Sequence, residues 1–251
     1  MSRIISTLFV CVLFVITGCK RNLQEIIEDT KQATLTVYTV DEYGSPLGSG
    51  SAFFIDKSGT AITNYHVLDG ATKATVKTFD GKEFEIDSVL VSNRKKDIIK
   101  YKLKNDENHK FKYLTFADEA PQQGDKVYNI SSPLGLEQTF SDGVISATRS
   151  DSHGEVIQIT APISPGSSGS AIINEKGEVV AVATYLMKGG QNLNFGVRLS
   201  GETLPLITEN DFAKRNSKFN SKGNFIIINS VSTNTPNLRL NAIETQVRGI
   251  R

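Results

Sequence analysis

Cysteine is nearly missing from this chain of 251 residues: the only two are Cys11 and Cys19. A domain folded after Cys19 can therefore hold no internal disulfide and must rest on packing, even in a compartment that permits bridges. An excess of charge of one sign is missing too. The formal net charge is +1, which gives no electrostatic reason to expect nucleic acid as a partner. Histidine occurs three times, at His66, His109 and His153, so few residues can serve as a base. No motif asks for a cofactor, and none groups metal ligands. Strongly periodic helices are few, and no low-complexity segment or fixed-period repeat is present. Only one long apolar run occurs, at residues 4–17, and no second segment is expected to span a membrane. What is present suffices for a sizeable core, since 39% of residues are hydrophobic and 22% charged.

The first nineteen residues are set apart from the fold. Arg3 supplies a positive start, and the apolar run behind it is too short for a comfortable span. It ends in Ile16-Thr17-Gly18-Cys19, followed by Lys20-Arg21-Asn22. This resembles the bacterial lipobox, in which small residues precede a Cys that is lipidated and becomes the new N-terminus. The alternatives are a plain signal peptide and a membrane anchor that happens to contain Cys. The lipobox reading places the protein in the bacterial cell envelope, held to a membrane by its N-terminal lipid and facing the periplasm or the exterior.

Residues 20–32 read as a linker and short helix, with Leu23, Ile26 and Ile27 on one face. Short runs rich in Val, Ile, Thr, Phe and Tyr follow. Strands are expected at 33–40, 51–56, 60–65, 73–79, 83–92 and 98–103, then at 126–132, 138–148, 156–160, 170–174, 179–186 and 193–199. Turn signals such as Asp80-Gly81 and Glu175-Lys176-Gly177 separate them. A polar segment with Pro121, at 105–124, lies between the two sets. Two groups of six short strands predict an all-β fold of two barrels side by side, one over about 33–116 and one over about 122–200. A helix is expected at 202–216, and the tail at 208–251 has no readable role. The stretch after the second barrel is too short for a typical second domain.

Three segments carry chemistry. Thr63-Asn64-Tyr65-His66-Val67 ends a strand. Asp97-Ile98-Ile99 sets an acid at the start of one. Pro165-Gly166-Ser167-Ser168-Gly169-Ser170-Ala171 is a Gly/Ser turn between two more. Each alone reads as a turn or surface residue, but together they meet a requirement. A serine nucleophile needs an imidazole to take its proton and an acid to hold that imidazole's tautomer. It also needs backbone N–H donors for the developing oxyanion, which a Gly-flanked turn supplies. The order His, Asp, Ser is that of chymotrypsin, not of subtilisin or the α/β-hydrolases.

The match extends beyond the three residues. Gly48-Ser49-Gly50-Ser51-Ala52-Phe53-Phe54, the segment 62–67 and Asp97-Ile98-Ile99 resemble the first barrel of the HtrA (Deg) peptidases. Gly124-Asp125, Ser132-Pro133-Leu134-Gly135-Leu136, Ser141-Asp142-Gly143-Val144-Ile145-Ser146 and the Ser168 loop running into Ala171-Ile172-Ile173-Asn174 resemble the second. The similarity spans roughly 33–207. It implies the chymotrypsin fold, with the active site in the cleft between two antiparallel six-stranded barrels, and serine endopeptidase activity on proteins or peptides. His66 would be the base, Asp97 its orienting acid and Ser168 the nucleophile, with the N–H groups of Gly166 and Ser168 as oxyanion hole. Pro162, Ala183 and Phe195 would contribute to substrate binding. Because Pro162 stands where a basic-specific enzyme has an acid, and no Asp or Glu occurs from 157 to 169, cleavage is expected after small or medium apolar residues.

The sequence departs from the family in two places. The loop reads Gly-Ser-Ser-Gly-Ser where HtrA members usually have Gly-Asn-Ser-Gly-Gly. Ser167 is expected to matter through its backbone only, and Ser170 bears on loop geometry. No PDZ domain is expected after the barrels, so a regulated quality-control role is not carried over. A homo-oligomer is left open by the resemblance. The rival readings are a non-catalytic trypsin-like scaffold that binds peptides and a structural envelope lipoprotein. The anchor is tested by Cys19→Ser, which is expected to move the protein from membranes to the soluble extracytoplasmic fraction, because stable anchoring takes two or more acyl chains. Retention on salt-washed membranes excludes the lipobox.

Overall fold

The computed structural model describes residues 21–105, 109–132, 136–187 and 193–199. Cys19, the helix expected at 202–216 and the tail lie outside them. Helix α1 (Leu23–Ala33) starts with a capping box: Asn22 Oδ1 accepts from Glu25 N at 2.8 Å, and Glu25 Oε2 accepts from Asn22 N. The face it buries overlaps the expected one only in part, with Ile26 buried and Ile27 half-buried. Ile26, Thr30 and Ala33 are buried, whereas Leu23 is exposed. Thr30 is tolerated inside because its hydroxyl donates to Ile26 O at 2.7 Å.

Strands β1 (Thr34–Val40), β2 (Pro46–Phe54), β3 (Thr60–Thr63), β4 (Lys73–Lys77), β5 (Glu83–Asn93) and β6 (Ile98–Leu103) close a barrel in the order β1-β2-β3-β6-β5-β4. Strands β7 (Lys126–Ser131), β8 (Thr139–Asp151), β9 (Gly154–Ile159), β10 (Ala171–Ile173), β11 (Val179–Leu186) and β12 (Asn194–Val197) close a second, β10-β11-β12-β9-β8-β7. The fold is thus all-β, two six-stranded antiparallel barrels of the chymotrypsin type.

Many strands are buried on both faces, which explains their continuous apolar runs. In β2, Ala52 and Phe54 enter the core of the first barrel, while Phe53 joins a cluster shared with the second. In β6, Ile99, Tyr101 and Leu103 point inward and Ile98 joins the shared cluster. Ile145, Ile157, Ile159 and Ile172 fill the second barrel. The segment between the barrels is less of a free linker than its polarity suggests. Leu114 N donates to Phe54 O, and Val179 N donates to Thr115 O, so residues near 114–117 clip β2 to β11.

Two of the boundaries that differ from expectation lie next to the site. Strand β2 starts at Pro46, before the expected 51, because Gly48, Ser49 and Gly50 pair with Thr39, Tyr38 and Val37. A Cβ on Gly50 would stand 2.6 Å from Val67 Cγ1 and 3.2 Å from Ser168 O. Glycine is here for close approach, not for turning. Strand β3 ends at Thr63, and Tyr65–Leu68 form a short helix, α2. Among the described residues no helix is long and apolar enough to cross a membrane, and no group of three or more His, Cys, Asp or Glu could hold a metal ion.

The turn between β2 and β3 is held by one carboxylate. Asp56 Oδ1 accepts from Ser58 N, Ser58 Oγ and Thr60 N at 2.7, 2.6 and 3.1 Å. Burial alone pushes its pKa up, but these hydrogen bonds outweigh it and hold the group at about 2. The folded value lies below the unfolded one, so the carboxylate stabilises fully above the unfolded pKa and loses this effect as pH falls towards 2. Asp56→Ala is expected to cost about 1 kcal/mol near neutral pH, a figure discounted because the side chain is 43% exposed. Urea unfolding from pH 6 downward should show the gap to wild type narrowing below about pH 4. A constant gap would reject the assignment.

Candidate active site

The first half of the site is built on α2. Asn64 stands at its N-terminus in extended backbone, and its Nδ2 donates to Asp97 O at 2.8 Å and to Thr184 Oγ1 at 3.2 Å. Tyr65 N also donates to Asp97 O. These bonds set the helix against the start of β6. Asp97 grips the next residue at two points: Oδ1 accepts from His66 N at 2.9 Å, and Oδ2 lies 2.6 Å from His66 Nδ1. The main-chain bond fixes the carboxylate plane relative to the helix. An ionised Asp97 requires the proton on Nδ1, which leaves Nε2 of a neutral ring as the free acceptor. The imidazole is about half exposed, at 49%, and the carboxylate is sheltered at 12%.

Asp97 occupies the left-handed region, with φ 56°. Among residues with a Cβ, Asp is one of the few that tolerates it. Its N–H donates to Arg94 O, and Asn93 Oδ1 accepts from Lys96 N, so a tight basic turn delivers the acid.

The second half is the loop 164–170. Ser167 N donates to Ser164 O at 2.8 Å, Ser170 N to Ser167 O at 3.1 Å, and Gly169 N to Ala183 O at 2.8 Å. By contrast, the N–H groups of Gly166 and Ser168 donate to nothing among the described residues. They are the two donors that the resemblance implies for an oxyanion. The first barrel reaches into this loop through Ser51, whose N–H donates to Ser168 O at 2.8 Å and whose hydroxyl donates to Gly166 O at 2.7 Å. Ser168 Oγ lies 3.5 Å from Thr184 O. Thr184 is also the residue that Asn64 reaches, so the serine and the His66 helix converge on one point of β11. No hydrogen bond joins Ser168 Oγ to the His66 ring in this structure; such bonds tighten when substrate arrives.

Ser167 does more than its backbone role in the sequence reading. It is 2% exposed, and its hydroxyl accepts from Ser131 Oγ at 3.0 Å. Of the residues assigned to substrate binding, Pro162 is exposed, with its carbonyl accepting from Ser141 Oγ at 3.3 Å. Ala183 turns its methyl into the second barrel and meets the serine loop through its main chain. Phe195 is buried and stacks on Tyr185 with ring centroids 4.9 Å apart. Asn64, Ser51 and Ser131 had no role in the sequence reading, since a single Asn or Ser carries no pattern.

A family model described as a trypsin-like peptidase domain matches residues 50–182, from the glycine of β2 to β11. The chain belongs to the trypsin-like peptidase family. Within it, the chain is 34% identical over 170 residues to the Buchnera aphidicola protein named "Probable periplasmic serine endoprotease DegP-like", covering 65% of this chain and 35% of that one. To the periplasmic serine endoprotease DegP of Escherichia coli it is 31% identical over 169 residues, covering 64% and 35%. The solved structure of the HtrA-type protease AlgW with a tripeptide superposes with a TM-score of 0.64 at 26% identity, over 71% of this chain and 60% of that one. The chain spans about a third of the length of these two curated relatives.

One trypsin-like feature is testable at once. Gly169 has φ +89°, and a Cβ there would stand 2.2 Å from Ser51 O and 2.3 Å from Thr63 Oγ1. Gly169→Ala is therefore expected to cost roughly 2–4 kcal/mol, combining backbone strain with a main-chain clash. Thermal unfolding measures it, and an unchanged midpoint would show that the barrels do not meet as described.

Proposed function

We propose that the chain is a serine endopeptidase of the HtrA kind that hydrolyses proteins outside the cytoplasm. The observation that carries this reading is the two-point grip of Asp97 on His66, which orients the ring and leaves Nε2 as its free acceptor. Ser168 Oγ attacks the scissile carbonyl carbon while His66 Nε2 takes the hydroxyl proton. Negative charge gathers on the former carbonyl oxygen, where the N–H groups of Gly166 and Ser168 receive it. His66 then passes its proton to the leaving amine, the C–N bond breaks, and an ester to Ser168 is left. Water, deprotonated by His66, hydrolyses that ester and restores the serine.

Relatives named as periplasmic support an envelope location, and a lipid on Cys19 would hold the enzyme there. Protein or peptide substrates follow from the chemistry, with a small or medium apolar residue before the scissile bond. Ser167 is uncharged and already bonded to Ser131, so no ion pair with a newly cut terminus is needed to order the loop.

Ser168→Ala and His66→Ala are each expected to lower kcat/KM on an unfolded protein or peptide library by about 10⁴-fold or more. The double variant should be little worse than either, because the residues act as one unit. Additive losses, or wild-type rates in either single variant, would reject the assignment. An active-site fluorophosphonate that labels wild type but not Ser168→Ala identifies the nucleophile directly.

A further inference from the structure

The residue that departs from the family at the end of the serine loop sits in a network the mechanism has not used. Ser170 is fully buried, and its Oγ donates to Ser167 O at 2.7 Å. The same oxygen accepts from Asn129 Nδ2 at 2.7 Å, and Asn129 Nδ2 also donates to Ala171 O at 2.9 Å. The amide orientation is settled by that last contact, because a carbonyl oxygen can only accept and so must face nitrogen. With Asn129 donating to it, the Ser170 hydroxyl has its own proton left for Ser167 O. Each proton in the chain from Asn129 to Ser170 to Ser167 O thus has one direction.

Ser167 O belongs to the peptide unit whose N–H is that of Ser168. No cis peptide occurs in the described chain, so the two groups point in opposite directions. Holding the carbonyl inward with a hydroxyl at 2.7 Å and the Ser170 N–H at 3.1 Å aims the Ser168 N–H outward. The peptide unit on the other side of Ser168 is held from the first barrel, by Ser51 N on Ser168 O. The nucleophile is therefore clamped on both flanking peptides.

We infer that Ser170, fixed by Asn129, is a positioning residue that locks the Ser168 N–H into its oxyanion-binding orientation. The inference rests on the proposed serine peptidase reading and deepens it. A glycine at this position would keep the weaker main-chain bond to Ser167 O and lose the hydroxyl. The Ser168 peptide would then be freer to rotate, and the donor would have to be ordered anew in each catalytic cycle. The effect belongs to the transition state, where the oxyanion forms, and not to substrate affinity.

The test uses the whole protein and counts active sites by fluorophosphonate labelling, well below each variant's unfolding midpoint. Ser170→Ala and Ser170→Gly are both expected to lower kcat per labelled site about tenfold, less than outright loss of a donor, with KM changed less than about twofold. Labelling of Ser168 should slow in proportion, since the phosphoryl oxygen uses the same donors. Asn129→Ala should lower kcat on its own and add little in the Ser170→Ala background. Normal kcat per labelled site in either Ser170 variant overturns the inference, as does a loss in Ser170→Ala that Ser170→Gly does not share, which would mark a packing effect. If wild type neither hydrolyses nor labels while folded, the peptidase reading falls and takes this inference with it.

Discussion

The structure turns on a place where two main chains touch. Ser51 in β2 of the first barrel donates its N–H to Ser168 O and its hydroxyl to Gly166 O in the second. The approach is possible only because Gly50 and Gly169 lack a Cβ on either side of it. His66 and Asp97 belong to the first barrel and Ser168 to the second. Any chemistry that needs all three therefore depends on how closely the barrels abut. Around that contact the seam is polar: Thr36 Oγ1 and Ser132 Oγ lie 2.7 Å apart, and Ser132 N donates to Ser51 Oγ at 3.1 Å. The hydroxyls in this seam are tolerated because each finds a partner.

Much of this was legible in the sequence because β-strands bounded by Gly and Asp turns are. All twelve strands were anticipated in order, and the largest shift falls at the start of β2. The strand expected from 51 starts at Pro46, because glycine at Gly50 serves a strand that must admit a neighbouring backbone. The face of α1 was legible at Ile26 and partly at Ile27, and was misjudged at Leu23 because apolarity favoured it. Thr30 is buried beside Ile26 only by bonding its hydroxyl to Ile26 O within the helix, a compensation that a hydropathy pattern does not display. His66, Asp97 and Ser168 stood out because their chemistry is rare in combination. The residues that hold them, Asn64, Ser51, Asn129 and Ser131, are common types whose partners lie 33 to 120 positions away. Such partnerships are a property of the fold.

With no disulfide available after Cys19, stability has to come from strands that serve two cores at once. Phe53 and Ile62 pack across the seam while their neighbours Phe54 and Ala61 fill the first barrel. The clip near 114–117 ties β2 to β11, the strand that carries Thr184 and Ala183. A change in the seam is thus felt in the barrel cores and at the serine loop together, which couples the shape of the site to the stability of the whole.

The network beneath the serine loop is made of hydroxyls, one amide and main-chain groups, with no ionised member. Coulombic clamps weaken as dissolved ions crowd around them and vanish when a partner gains or loses a proton. Neutral hydrogen bonds sealed from water do neither. The order of this loop is therefore set by shape and donor direction, without the direct dependence on salt and acidity of a loop tied down by charge.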